Sequence, residues 1–89
     1  MLLSTMAEKE LIQMEDGVRY GLLADTEMLF EPKSGRIYGF ELKRRAGWLQ
    51  GGRKSAGEAE YIPWEEIVLI GDDRILFRRT RPIHEGLFE

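Results

Sequence analysis

Two segments of this chain place turn residues between short apolar runs. They are Phe30-Glu31-Pro32-Lys33-Ser34-Gly35-Arg36-Ile37 and Ile62-Pro63-Trp64-Glu65-Glu66-Ile67-Val68-Leu69-Ile70-Gly71-Asp72-Asp73-Arg74-Ile75. Proline presets φ for a turn, and glycine supplies a left-handed position. Short apolar runs separated by such punctuation are the pattern of a small antiparallel β-barrel.

The rest of the chain agrees. Leu11 to Met14 is a short apolar run followed by Asp16-Gly17, a strong hairpin signal of the type I′ kind. Val18 to Phe30 reads as one long, bent strand. Tyr20, Leu22, Ala24, Thr26, Met28 and Phe30 share a parity and form the better core face, and Gly21 marks a bulge or bend. Arg36 to Leu42 returns as a half-buried strand. Ala46 to Gly57 holds four glycines and no period, so it reads as a long loop. Glu58 to Ile62 is extended, Trp64-Glu65-Glu66 a 3₁₀ turn, Ile67 to Ile70 a buried strand, and Ile75 to Phe77 the last one. The expectation is an all-β, six-stranded, antiparallel barrel-like domain over residues 10–79. An N-terminal segment, 1–9, offers one helical turn capped by Ser4 or Thr5, or a frayed end. A polar tail with Pro82, 80–89, is loosely held.

Eighty-nine residues make one domain. A chain this short buries only roughly 60–65 % of its unfolded surface, which limits the core. There is no cysteine, which excludes disulfides, thiolate metal sites and cysteine nucleophiles. A small core without such staples is often reinforced by oligomerisation, so a homodimer is expected. Met1 to Met6 lacks the basic start of a signal peptide, and no apolar run approaches the length of a membrane span. The expectation is a cytoplasmic protein without membrane insertion.

Catalytic patterns are sparse. His84 is the only histidine, and it lies in the tail beside Pro82 and Glu85. Metal binding needs convergent ligands, and a catalytic triad needs an orienting carboxylate. The pairs Glu15-Asp16, Glu65-Glu66 and Asp72-Asp73 adjoin turns, where carboxylates solvate backbone groups. Asp25 and Glu27 fit the outer face of a sheet. Gly51-Gly52-Arg53-Lys54-Ser55 superficially resembles a phosphate loop but lacks its spacing. No catalytic, cofactor or metal residue is assigned.

Charge is segregated instead. Net charge is −3, yet Lys43 to Lys54 holds five basic residues and no acidic one. Arg78, Arg79 and Arg81 add three more. The remainder carries five basic residues against all sixteen acidic ones. Local fields of this kind matter more than the net value. Trp48-Leu49 sits inside the basic loop. An aromatic flanked by cations suits a protein contact, or a stacking platform for single-stranded nucleic acid, or Trp48 folds back over a barrel end. The partner-binding candidates are Arg44, Arg45, Trp48, Leu49, Arg53 and Lys54. Trp64 reads as core or as a barrel plug.

From about Glu10 to Phe77 the chain resembles the PRC-barrel family. It is most similar to small stand-alone bacterial members of the sporulation-associated YlmC/YmxH type. The resemblance rests on Asp16-Gly17 followed by Gly21, on Asp25, on Phe30-Glu31-Pro32 with Gly35-Arg36-Ile37, and on Ile62-Pro63-Trp64-Glu65 with Ile67, Ile70-Gly71-Asp72-Asp73 and Ile75. Small members often carry a glycine- and aromatic-containing insertion where Gly47-Trp48-Leu49-Gln50-Gly51 stands here. The resemblance implies a six-stranded barrel used as a binding and assembly module, not a catalyst. Related domains occur in the photosynthetic reaction-centre H subunit and the ribosome maturation factor RimM. This chain departs from the pattern in Arg78-Arg79-Thr80-Arg81 and its lengthened polar end. The expected function is a non-catalytic, homodimeric interaction module that contacts its partner through Lys43 to Gly57. The alternative is an RNA- or DNA-binding accessory protein using the same loop.

Overall fold

Residues 1–42 and 59–83 are described by the computed structural model. A short helix, α1 (Leu3–Ala7), precedes eight short strands: β1 (Glu10–Gln13), β2 (Arg19–Leu22), β3 (Thr26–Phe30), β4 (Ile37–Leu42), β5 (Glu60–Pro63), β6 (Ile67–Ile70), β7 (Arg74–Phe77) and β8 (Arg81–Pro82). They form two four-stranded sheets, ordered β2-β1-β7-β6 and β3-β4-β5-β8. The all-β class is as expected. The count of six strands is not, and neither is uniform antiparallel pairing, because β1 and β7 run parallel.

Two departures account for the count. Val18 to Phe30 is two strands, split by a 3₁₀ turn at Leu23–Asp25. There the Leu23 carbonyl accepts from both the backbone N–H and the hydroxyl of Thr26, the latter at 2.7 Å. The turn drives Leu23 into the core, 5 % exposed, and leaves Leu22 and Phe30 exposed. The expected parity therefore breaks at this corner. The second departure is β8, inside the segment read as a loose tail, whose Arg81 and Pro82 pair with Tyr61 and Glu60.

The first two hairpins share one turn. Gln13 and Glu31 each donate their N–H across the hairpin, to the carbonyls of Val18 and Arg36 at 2.9 and 2.8 Å. The carbonyls of Gln13 and Glu31 accept from Gly17 and Gly35 four residues on. Both glycines have positive φ, +71° and +79°. No non-glycine residue among those described does, so Asp16-Gly17 does not form the type I′ turn its sequence suggested. Gly21 lies in a β2 bulge opposite β1, as expected.

Three corners carry the chain between the sheets: the turn at Leu23–Asp25, a second 3₁₀ turn at Trp64–Glu66, and Arg78 to Thr80. The core lies between the sheets. Leu11, Ile75 and Phe77 come from the first, Phe40 and Ile62 from the second, and Leu23 from the first corner. Full burial of each such side chain contributes about 1.5–3 kcal/mol. The Tyr20 ring meets Phe77 edge-on, centroids 5.3 Å apart. Ser4 and Thr5 do not cap α1; its N-cap is Leu2, without a side-chain bond. β6 is not the buried strand its composition suggested, since Val68 and Leu69 are exposed.

Candidate functional site

The expected contact residues Arg44, Arg45, Trp48, Leu49, Arg53 and Lys54 lie outside the described residues, as does His84. The roots of their loop are placed. Leu42 and Glu60 pair directly, in one register row with Thr26 of β3 and Pro82 of β8. Leu42 and Glu60 therefore stand together at one end of the second sheet, with β8 beside Glu60.

The densest polar cluster joins two corners. Glu66 follows Trp64 and Glu65 in the second 3₁₀ turn, and its side chain is 9 % exposed. Its carboxylate accepts from Arg78 Nε and from an Arg81 terminal nitrogen, both at 3.0 Å. Arg79 Nε lies 3.9 Å away. Glu65 adds an ion pair with Arg81 at 3.3 Å, and its carbonyl accepts from Arg78. The Arg78 bond, followed by the charges of Arg79, Arg78 and Arg81, holds the Glu66 carboxyl below the usual glutamate range against its desolvation. A hydrogen bond with Tyr61 of β5, ahead of the carboxylates, pushes Arg81 up. The cluster thus ties the second corner to the third and to the neighbouring sheet.

This arrangement changes the reading of Arg78-Arg79-Thr80-Arg81. The sequence counts three cations there, whereas the structure commits Arg78 and Arg81 to Glu65 and Glu66 by hydrogen bonds and holds Arg79 more loosely, at 3.9 Å. Periodicity gave no warning of it, because a corner brings together residues more than ten positions apart. Lys9 was missed for the same reason. It is 4 % exposed, and its ammonium donates to the Asp72 carbonyl across the parallel β1–β7 join.

Around this frame lie exposed apolar side chains. Trp64 is 41 % exposed, with its ring tilted against Phe40 at 6.1 Å, so it is a half-open cover rather than core. Val68 and Leu69 follow it on β6. An apolar hollow of about 160 Å³ opens between α1 and the second sheet, lined by Leu3, Ala7, Leu23, Ala24, Met28 and Phe40. Glu27 is exposed on β3, as expected for the outer face, whereas Asp25, also exposed, lies not on a strand but in the turn at Leu23–Asp25. Among the described residues, no group of three or more His, Cys, Asp or Glu converges for a metal, and no helix is long and apolar enough to cross a membrane.

Two small twisted sheets joined by short corners around one apolar core define a minimal β domain with its polar network at a corner. The chain belongs to the PRC-barrel domain family, whose model matches residues 1–81. The PRC-barrel is a small non-catalytic domain family. The match runs through Arg81, the first residue of β8, so the third corner is part of the family unit. Comparison with curated proteins and with solved structures gave no match.

Proposed function

We propose that this protein is a non-catalytic interaction and assembly module, homodimeric, of the small sporulation-associated YlmC/YmxH type. One observation carries the reading. Among the described residues, more large apolar side chains lie exposed than buried: Met1, Leu2, Leu3, Met14, Val18, Leu22, Phe30, Trp64, Val68 and Leu69 stand against a core of seven. Apolar surface left open on a rigid scaffold is what a partner covers. The Lys43 to Gly57 loop, rooted at Leu42 and Glu60, supplies a second contact through Arg44, Arg45, Trp48, Leu49, Arg53 and Lys54.

The test is an affinity pull-down from native lysate, wild type against a deletion of Gly47 to Gly57. The deletion is expected to lose a partner that the wild type retains. Trp48→Ala is expected to weaken the same interaction with little change in melting temperature; a large loss of stability would place Trp48 in the core. Nucleic-acid binding through the basic loop is the competing outcome. It would show as affinity falling steeply with salt. Engagement of Arg78 and Arg81 by Glu65 and Glu66 reduces what the third corner could add to such binding.

A further inference from the structure

We propose that a second copy of this chain docks on the edge of β6, continuing the first sheet across a two-fold axis. The proposal rests on the assembly reading above and names its partner.

Among the described residues, four strands stand at sheet edges: β2, β6, β3 and β8. Edge strands are usually protected against pairing by charge, proline or brevity. β2 carries Arg19, β3 carries Glu27, and β8 is two residues long and ends in Pro82. β6 is Ile67-Val68-Leu69-Ile70, without a charge, and its Val68 and Leu69 are 44 % and 54 % exposed. Its one protection is the bulge at Val68, opposite the Ile67–Phe77 and Leu69–Leu76 pairs. A bulge adds twist and shortens the pairing available, but it places no charge in the way.

The ends of β6 select the partner. At its start is the corner where Arg78, Arg79 and Arg81 outnumber Glu65 and Glu66. At its end is the turn of Asp72 and Asp73, both exposed, with Arg74 following and Lys9 drawn inward beneath the Asp72 carbonyl. An antiparallel pairing of β6 with its own copy sets the arginine corner of one molecule beside the aspartate turn of the other. The symmetry repeats this contact at the opposite end, so one complementary pair counts twice. Between the two ends apolar residues meet apolar residues, with no like charges opposed. Arg79 is the arginine to reach across: it is the most weakly held of the three, at 3.9 Å, and 64 % exposed. With so short a strand the interface is small, at the low end of the sizes of specific interfaces.

Sedimentation equilibrium on the full chain, from micromolar to millimolar concentration, tests this. Wild type is expected to dimerise. Leu69→Lys is expected to weaken the dimer by at least about tenfold with the melting temperature nearly unchanged. Val68→Lys repeats the test should Leu69→Lys fail to fold. Arg79→Asp is expected to weaken the dimer several-fold, and Asp73→Arg combined with it to recover most of the loss. Amide exchange of Ile67 to Ile70 is expected to slow as wild-type concentration rises. A monomer at every concentration overturns the proposal, as does a dimer indifferent to both edge substitutions and to the charge swap. A monomer that still retains a partner in the pull-down leaves the partner-binding part of the assembly reading standing and removes its homodimer. A dimer that retains none does the reverse.

Discussion

Arg78 donates to Glu66 twice, from its backbone N–H to the Glu66 carbonyl at 2.9 Å and from Nε to the carboxylate at 3.0 Å. The backbone bond fixes the approach of two corners, and the side-chain bond closes the charge between them. Glu66→Ala removes the carboxylate and leaves three arginines facing one another. It is expected to cost about 1.5–3 kcal/mol, read from chemical denaturation. Glu66→Gln keeps one acceptor oxygen and is expected to cost less.

The same pair gives a pH dependence. The Glu66 carboxyl is lowered in the fold from its ordinary value of 4.5, so the unfolded chain takes up the proton first as pH falls. The stabilisation is therefore complete above about pH 4.5 and is lost as pH drops through the lower native value. The stability gap between wild type and Glu66→Gln is expected to narrow in acid and to be constant near neutrality. Denaturation midpoints measured across that range check it. A gap that widened in acid would contradict the arginine cluster as its source.

Glycines at two sites separate steric from backbone cost. A Cβ on Gly39 would collide with the Ile62 carbonyl oxygen and come within 2.9 Å of the Pro63 Cα, both in the neighbouring strand. Gly35 has φ +79° with nothing within 4 Å of its would-be Cβ. Gly35→Ala is expected to cost about 1 kcal/mol, the left-handed penalty alone. Gly39→Ala adds overpacking between β4 and β5 and is expected to cost about 3 kcal/mol. Thermal unfolding of the two variants side by side distinguishes the causes.

The β1–β2 hairpin is locked to the core through Tyr20. Its hydroxyl donates to Gln13 Oε1 at 3.1 Å, and Gln13 Nε2 in turn donates to the Arg78 carbonyl at 3.1 Å. Tyr20→Phe keeps the ring against Phe77 and is expected to cost about 1 kcal/mol. Phe77→Ala empties a fully buried position and is expected to cost about 3–5 kcal/mol. Equilibrium unfolding in urea reads both.

What could be read from the sequence follows the range of each signal. The turn at Glu31 to Gly35, the 3₁₀ turn at Trp64–Glu66 and the bulge at Gly21 rest on neighbours in the chain, and the structure shows all three. The break at Leu23 was not legible, because Asp25 and Glu27 fit the polar face of one continuous strand equally well and Thr26 closes the turn from the side. The exposure of Val68 and Leu69 was hidden because an apolar run looks alike at a sheet centre and at an edge. Lys9 and Glu66 are long-range facts: their partners lie on another strand or corner. The basic loop was visible as composition, and only its roots at Leu42 and Glu60 are placed by the structure.

The parallel join of β1 to β7 has a consequence for how the chain is made. Leu11 lies beside Ile75, and three of the four strands of the second sheet, β3, β4 and β5, are written between them. During synthesis the first hairpin leaves the ribosome with one side of β1 bare, and it stays so until Arg74 to Phe77 emerge. The first sheet is thus completed only after most of the domain has been made, and contacts of such separation make folding slow relative to its size. A chain halted before Arg74 would lack the central neighbour of β1 and the Ile75 and Phe77 half of its core. Ends and middle of this small domain therefore stand or fall together, as one cooperative unit.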